Sequence, residues 1–108
     1  MVWQDIMFIL LYSMFVSVVL DPGGIESAKA LSTILTQYGF SKVQRSCFEC
    51  TTFIEKKLNI LKKDIDRVTD YYDVVRIYQY PVDGIMAITT LSQKKWQRIM
   101  LRPPKEKK

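Results

Sequence analysis

The sequence predicts an α+β fold with its elements in the order β-α-β-β-α-β, followed by one extra strand. Three observations predict it. A β-branched apolar run, Met14 to Asp21, stops at the turn Asp21-Pro22-Gly23-Gly24. Two later stretches carry apolar residues at helical spacing. Between and after them lie strand-like segments bounded by glycine and proline. At 108 residues, 48% of them hydrophobic and 25% charged, the chain can build one core and is expected to form one domain.

The first strand lies inside a longer apolar run, Ile6 to Leu20. That run has fifteen residues, is preceded by Asp5 rather than by a base, and is followed by no small-residue cleavage site. A spanning helix needs roughly 20 apolar residues and a signal peptide a basic start. A buried strand from Met14 is therefore expected, with residues 1–13 as an extension or an over-called start. No membrane partner is expected, and the cytoplasm is the expected compartment.

In the helix from Ile25 to Tyr38, Ala28, Leu31, Leu35 and Tyr38 form one stripe, and Gly39 is a natural stop. Residues 40–51 are β-type, as one strand or as a hairpin broken near Gln44–Ser46. Thr52 and Glu55 match a capping box for a second helix, whose face is Ile54, Leu58, Leu61, Ile65 and Val68. Its lysines and aspartates read as a solvated face. Residues 73–80 form a strand ended by Pro81, Asp83-Gly84 a turn, and residues 85–91 the extra strand. This order is the split β-α-β pattern of ferredoxin-like folds. The expected domain thus covers residues 14–91, and residues 92–108 form a basic tail.

The net charge of +5 is concentrated in that tail: Lys94 to Lys108 holds seven bases and one acid, leaving nine bases and ten acids before it. Lys94, Lys95, Arg98 and Arg102, interleaved with Trp96, suit sequence-independent contact with a phosphate backbone or docking on a partner. Trp96 is too costly to leave exposed and is expected at the sister subunit or another protein. Arg45 can clamp a phosphate. The chain has no histidine, so imidazole general-base chemistry is excluded. Its two cysteines, Cys47 and Cys50, form a single C-x-x-C. In a β-type run that spacing sends the thiols to opposite faces, and two thiols without histidine make no zinc site.

Asp21 is the leading site candidate, because it ends a strand at a sheet edge. Asp followed by proline is also a helix N-cap signal, and the two roles are compatible.

Val43-Gln-Arg-Ser-Cys-Phe-Glu-Cys50 resembles the signature Val-Gln-x-Ser-Val-Phe-Glu-Cys of the Cas-two family of small CRISPR-associated adaptation proteins, with Cys47 in place of valine. Asp73-Val-Val-Arg-Ile-Tyr78 is similar to that family's Asp-Ser-Val-Arg-Ile-Tyr. The resemblance covers about residues 14–91. It implies a ferredoxin-like homodimer, a hairpin within residues 40–51, and a role as adaptor for duplex DNA in the spacer-integrating complex beside an integrase. It implies that Asp21 and its mate across the dimer hold one Mg²⁺, as in members that cleave single-stranded RNA or DNA. It also implies that Phe48 and Tyr78 lie near the dimer interface. The chain departs from the family in having Leu20 where tyrosine is common, no second acid soon after Asp21, and no arginine cluster in the first helix. These departures bear on nuclease activity more than on fold. The alternatives are a toxin-type endoribonuclease of the same fold and a ferredoxin-like module that binds no nucleic acid.

Overall fold

Alternation along the first strand sets the architecture. In β1 (Ser13–Asp21), Met14, Val16, Val18 and Leu20 are buried, while Phe15, Val19 and Asp21 are exposed on the other face. The computed structural model describes residues 13–82 and 84–102. Residues 1–12, which hold most of the expected extension, and Lys105, Lys107 and Lys108 of the expected tail lie outside the described residues.

After β1 come α1 (Ile25–Gln37), β2 (Ser41–Gln44), β3 (Cys47–Ile54), a short 3-10 turn (Glu55–Lys57), α2 (Leu58–Val68), β4 (Val74–Val82), β5 (Ile85–Ser92) and β6 (Lys95–Leu101). The strands form one antiparallel sheet in the order β2-β3-β1-β4-β5-β6. β1 sits between β3 and β4, so each helix crosses over one strand. This is a mixed α+β arrangement compatible with the expected ferredoxin-like fold, lengthened by two strands. Both helices cover one face: Leu31 and Leu35 of α1 and Leu61 and Ile65 of α2 share a core with Val16, Val18, Val75 and Ile77. Tyr38 Oη donates to Asp64 Oδ2 at 2.6 Å and ties the end of α1 to α2.

α1 ends as Gly39 predicts. Gly39 takes φ +91°, its N–H bonds to Thr36 O, and the Phe40 N–H bonds to Leu35 O. That is the paired bonding of a Schellman motif, closed by the buried side chains of Phe40 and Leu35. The β-type run is a hairpin turning at Arg45–Ser46.

Four local expectations are revised. The capping box at Thr52–Glu55 does not form: Phe53 is buried and pairs with Met14, which keeps β3 extended to Ile54, and α2 starts later without a side-chain cap. β4 does not end at Pro81 but runs to Val82 across a register shift, where proline has no N–H to give. Phe48 is 2% exposed in the core, so its side chain offers nothing to a partner. Residues 95–101, expected in the tail, form β6, fully paired with β5 through a two-residue turn in which Gln93 and Lys94 have positive φ. Lys94 Nζ secures that turn, donating to Asp66 O (2.6 Å) and Thr69 O (3.1 Å) at the end of α2 and pairing with Asp66 Oδ1 at 3.0 Å.

The face of the sheet away from the helices is uncovered. Phe15, Val19, Tyr80, Ile99 and Leu101 are exposed large apolar groups on it. No helix among the described residues is long and apolar enough to cross a membrane.

Candidate functional site

Four loops meet at one end of the sheet, and Asp21 stands among them. It is the last residue of β1, lies opposite Val74 of β4 and is exposed on the uncovered face. The preceding Leu20 N–H donates to Ser46 O at 2.8 Å, which sets the Arg45–Ser46 turn beside it. On the other side runs the loop from Thr69 to Asp73, and beyond it the Gln93–Lys94 turn, held there by the Lys94 bonds to α2. The fold therefore gathers Asp21, Arg45, Lys94 and Lys95 at one end. Arg98 lies opposite Thr89, further down the strand, and Arg102 beyond Leu101 at the opposite end.

Of these bases, Lys94 is committed to the α2 terminus, whereas Arg45, Lys95, Arg98 and Arg102 are exposed. Tyr78 is on the uncovered face opposite Ser17 and Ile88, and the Arg76 guanidinium lies 5.4 Å from its ring centroid. Trp96 packs on the other side, against the core, with Lys62 Nζ 4.8 Å from its ring centroid. A shallow groove of ≈ 300 Å³ runs there between Asn59, Lys62, Lys63, Asp66 and Trp96. Phe48 and Trp96 thus lie on the helix-covered face and Tyr78 on the uncovered one, so the three do not make one interface. Cys47 and Cys50 are free thiols on opposite faces: Cys47 Sγ lies 3.6 Å from Ser17 Oγ, while Cys50 packs on the core.

The helix cap is not Asp21. α1 begins after Gly24, whose glycine has no capping side chain. The acceptor arrives from the far side of the sequence: Asp73 Oδ1 accepts from Gly23 N (2.6 Å) and Ser27 Oγ (2.8 Å), and its Oδ2 accepts from Asp70 N (2.8 Å). Pro22-Gly23-Gly24 carries the chain past the cap position before the helix turns, which leaves Asp21 free of that duty. Asp73 is 1% exposed. Burial by itself would raise its pKa, but the hydrogen bonds from Gly23, Asp70 and Ser27 outweigh it and hold the carboxyl below the usual range.

The same loop requires glycine at 23. A Cβ there would lie 2.7 Å from Tyr72 Cβ and 3.1 Å from Tyr72 O, whereas one at Gly24 would meet nothing within 4 Å. Gly23→Ala is expected to destabilise the fold by about 1–3 kcal/mol through overpacking. Gly24→Ala is expected to cost about 0.5 kcal/mol, the difference between glycine and alanine at a cap. Urea unfolding midpoints of the two variants test this.

For a divalent cation, Asp21 is one exposed carboxylate, and no group of three or more acidic or thiol ligands occurs among the described residues. Such a ligand set fits a magnesium ion only when a second chain and water complete the shell.

Comparison with curated proteins and with solved structures finds no match. Comparison with family models does: the model described as CRISPR associated protein Cas2 matches residues 14–99, which takes in all of β1 except Ser13, both helices, and β6 as far as Ile99. With that match over most of its length, the chain belongs to the Cas2 family and has a CRISPR-associated role.

Proposed function

We propose that the protein is the homodimeric adaptor of a spacer-integrating complex, holding duplex DNA beside an integrase. The observation that carries this reading is the uncovered sheet face, where exposed apolar residues and Asp21 share one side. A band of that kind is expected to be covered by a partner surface. A second copy packed face to face would cover the apolar band that includes Phe15 and Ile99 and would set the two Asp21 carboxylates across from each other. One Mg²⁺ would be held by that pair with water, where it supplies charge neutralisation of a phosphate oxygen and activation of water. Arg45, Lys95, Arg98 and Arg102 lie on exposed rims and suit phosphate contacts, and the groove beside Trp96 suits a protein partner.

The second reading is a metal-dependent endonuclease, favoured by the exposure of Asp21. Removing residues 92–108 is a poor way to separate it from a free-standing toxin, because that cut also removes β6. Charge removal is cleaner. Duplex binding is expected to fall steeply with salt, and Lys95→Ala, Arg98→Ala and Arg102→Ala each to lower the slope of log K against log salt by about 1. With chelator present, Asp21→Ala is expected to leave duplex affinity within about twofold, since without the ion a carboxylate makes none of the cation–phosphate contacts. Cleavage of labelled RNA and DNA, with Mg²⁺ and with chelator, completes the test. Cleavage that falls about a hundredfold or more in Asp21→Ala establishes the enzyme reading. Absence of salt-sensitive binding overturns the adaptor reading.

A further inference from the structure

We propose that Tyr71 and Tyr72 form a stacking platform for unpaired nucleobases at the Asp21 end of the sheet. This rests on the nucleic-acid reading above and adds a substrate feature to it: a single-stranded or frayed end. The two side chains are 55% and 75% exposed, with ring centroids 5.5 Å apart and planes at 79°. They sit on the loop between α2 and β4, and Val74, two residues after Tyr72, pairs with Asp21.

The loop is fixed rather than loose. Tyr72 N donates to Asp70 Oδ1 (2.9 Å), Asp70 N to Asp73 Oδ2 (2.8 Å) and Asp73 N to Asp70 O (3.2 Å), while the Gly23 backbone lies against Tyr72. A large apolar area is thus held out in water by a loop whose geometry is already set. Stacking on such rings loses little conformational entropy, and every base has a face to offer.

The surroundings select the occupant. The apolar band that suits a second copy runs towards the opposite end, where Phe15 pairs with Tyr80 and Met86 with Leu101. At the tyrosine end the exposed neighbours are mostly ionic, Arg45 and Lys95 with the acids Asp21, Glu26 and Asp70, beside the apolar Ile25. Asp70 beside the rings repels phosphate. A strand therefore turns its bases to the tyrosines and its phosphates to Arg45 and Lys95. A continuous duplex keeps its bases stacked inside and gains nothing from the rings.

The test compares labelled oligothymidine with a blunt duplex of equal length by fluorescence anisotropy at one salt concentration, using the full chain. Tyr71→Ala with Tyr72→Ala is expected to weaken single-strand binding about tenfold or more and to leave duplex binding within about twofold. The double phenylalanine variant is expected to bind as wild type, because stacking needs the ring and not the hydroxyl. Photo-crosslinking of 5-iodouracil-substituted single strand is expected to label Tyr71 or Tyr72, a readout that does not depend on the stability of the alanine variant. Equal loss on both nucleic acids, loss of the dimer in the alanine variant, no loss at all, or crosslinks elsewhere would overturn the platform. Intact duplex binding with no tyrosine effect removes only this inference, whereas wild-type protein that binds neither probe removes the nucleic-acid reading with it.

Discussion

Asp73→Ala is expected to lower the unfolding free energy by about 3 kcal/mol, the summed loss of charge-assisted hydrogen bonds and the exposure of orphaned donors. The carboxylate accepts from Gly23 N, Ser27 Oγ and Asp70 N, and of these donors Ser27 Oγ has a second acceptor within reach, Gly24 O at 3.4 Å. For a domain of this size that corresponds to a fall in Tm of about 15 °C. Asp73→Asn is expected to lose about half as much, because one amide oxygen can still accept while the amide nitrogen opposes the Asp70 N–H. The pH dependence separates the charge from the shape. The native carboxyl titrates below its ordinary value of 3.8, so the native state favours the ionised form. Its contribution is complete above that ordinary value and is lost as the pH falls through the lower native one. The wild type is therefore expected to lose stability below about pH 4 more steeply than Asp73→Asn, and thermal unfolding of the pair from neutral to acid pH measures the difference.

The consequence reaches the site. Asp73 joins the turn after Asp21 to the loop that holds Tyr71 and Tyr72, across fifty positions of sequence between it and Gly23. That connection is why the sheet end was only partly legible beforehand. Periodic signals were readable wherever one element determines its own burial. The β1 strand, the Leu31–Leu35 and Leu61–Ile65 stripes and the Gly39 stop all depend on neighbours in sequence and appear in the structure, although β1, expected to be buried, exposes alternate residues such as Phe15 and Val19. The β6 strand was hidden because Lys95 and Arg98 interrupt its apolar residues within a basic stretch, and because its turn is made by Gln93 and Lys94 rather than by glycine or asparagine. The capping box at Thr52 was a true local pattern that lost to tertiary burial of Phe53. The Asp73 cap has no local pattern at all. Of the candidate site residues, Asp21, Arg45 and Lys95 were recognisable by type, but their shared position at one sheet end follows only from strand order.

Ile99→Glu is expected to turn a dimer into a monomer, a loss of association of about a hundredfold or more from burying an unpaired carboxylate. Ile99 is 51% exposed in the single chain and lies opposite Ile88, on the edge strand β6 of the uncovered face. Its replacement therefore costs the isolated fold little, and the charge is felt only when a second copy covers it. Ile25 is equally apolar and more exposed but belongs to α1, away from that face, so Ile25→Glu is expected to leave association unchanged. Sedimentation equilibrium distinguishes the 12.7 kDa chain from twice that mass. A monomeric wild type, or a dimeric Ile99→Glu, would remove the face-to-face arrangement. The same variant then probes the paired carboxylates without touching them. If two Asp21 side chains share one Mg²⁺, separating the copies must abolish every Mg²⁺-dependent effect while Asp21 itself is intact. A Mg²⁺ effect that survives in the monomer would assign the ion to ligands within one chain.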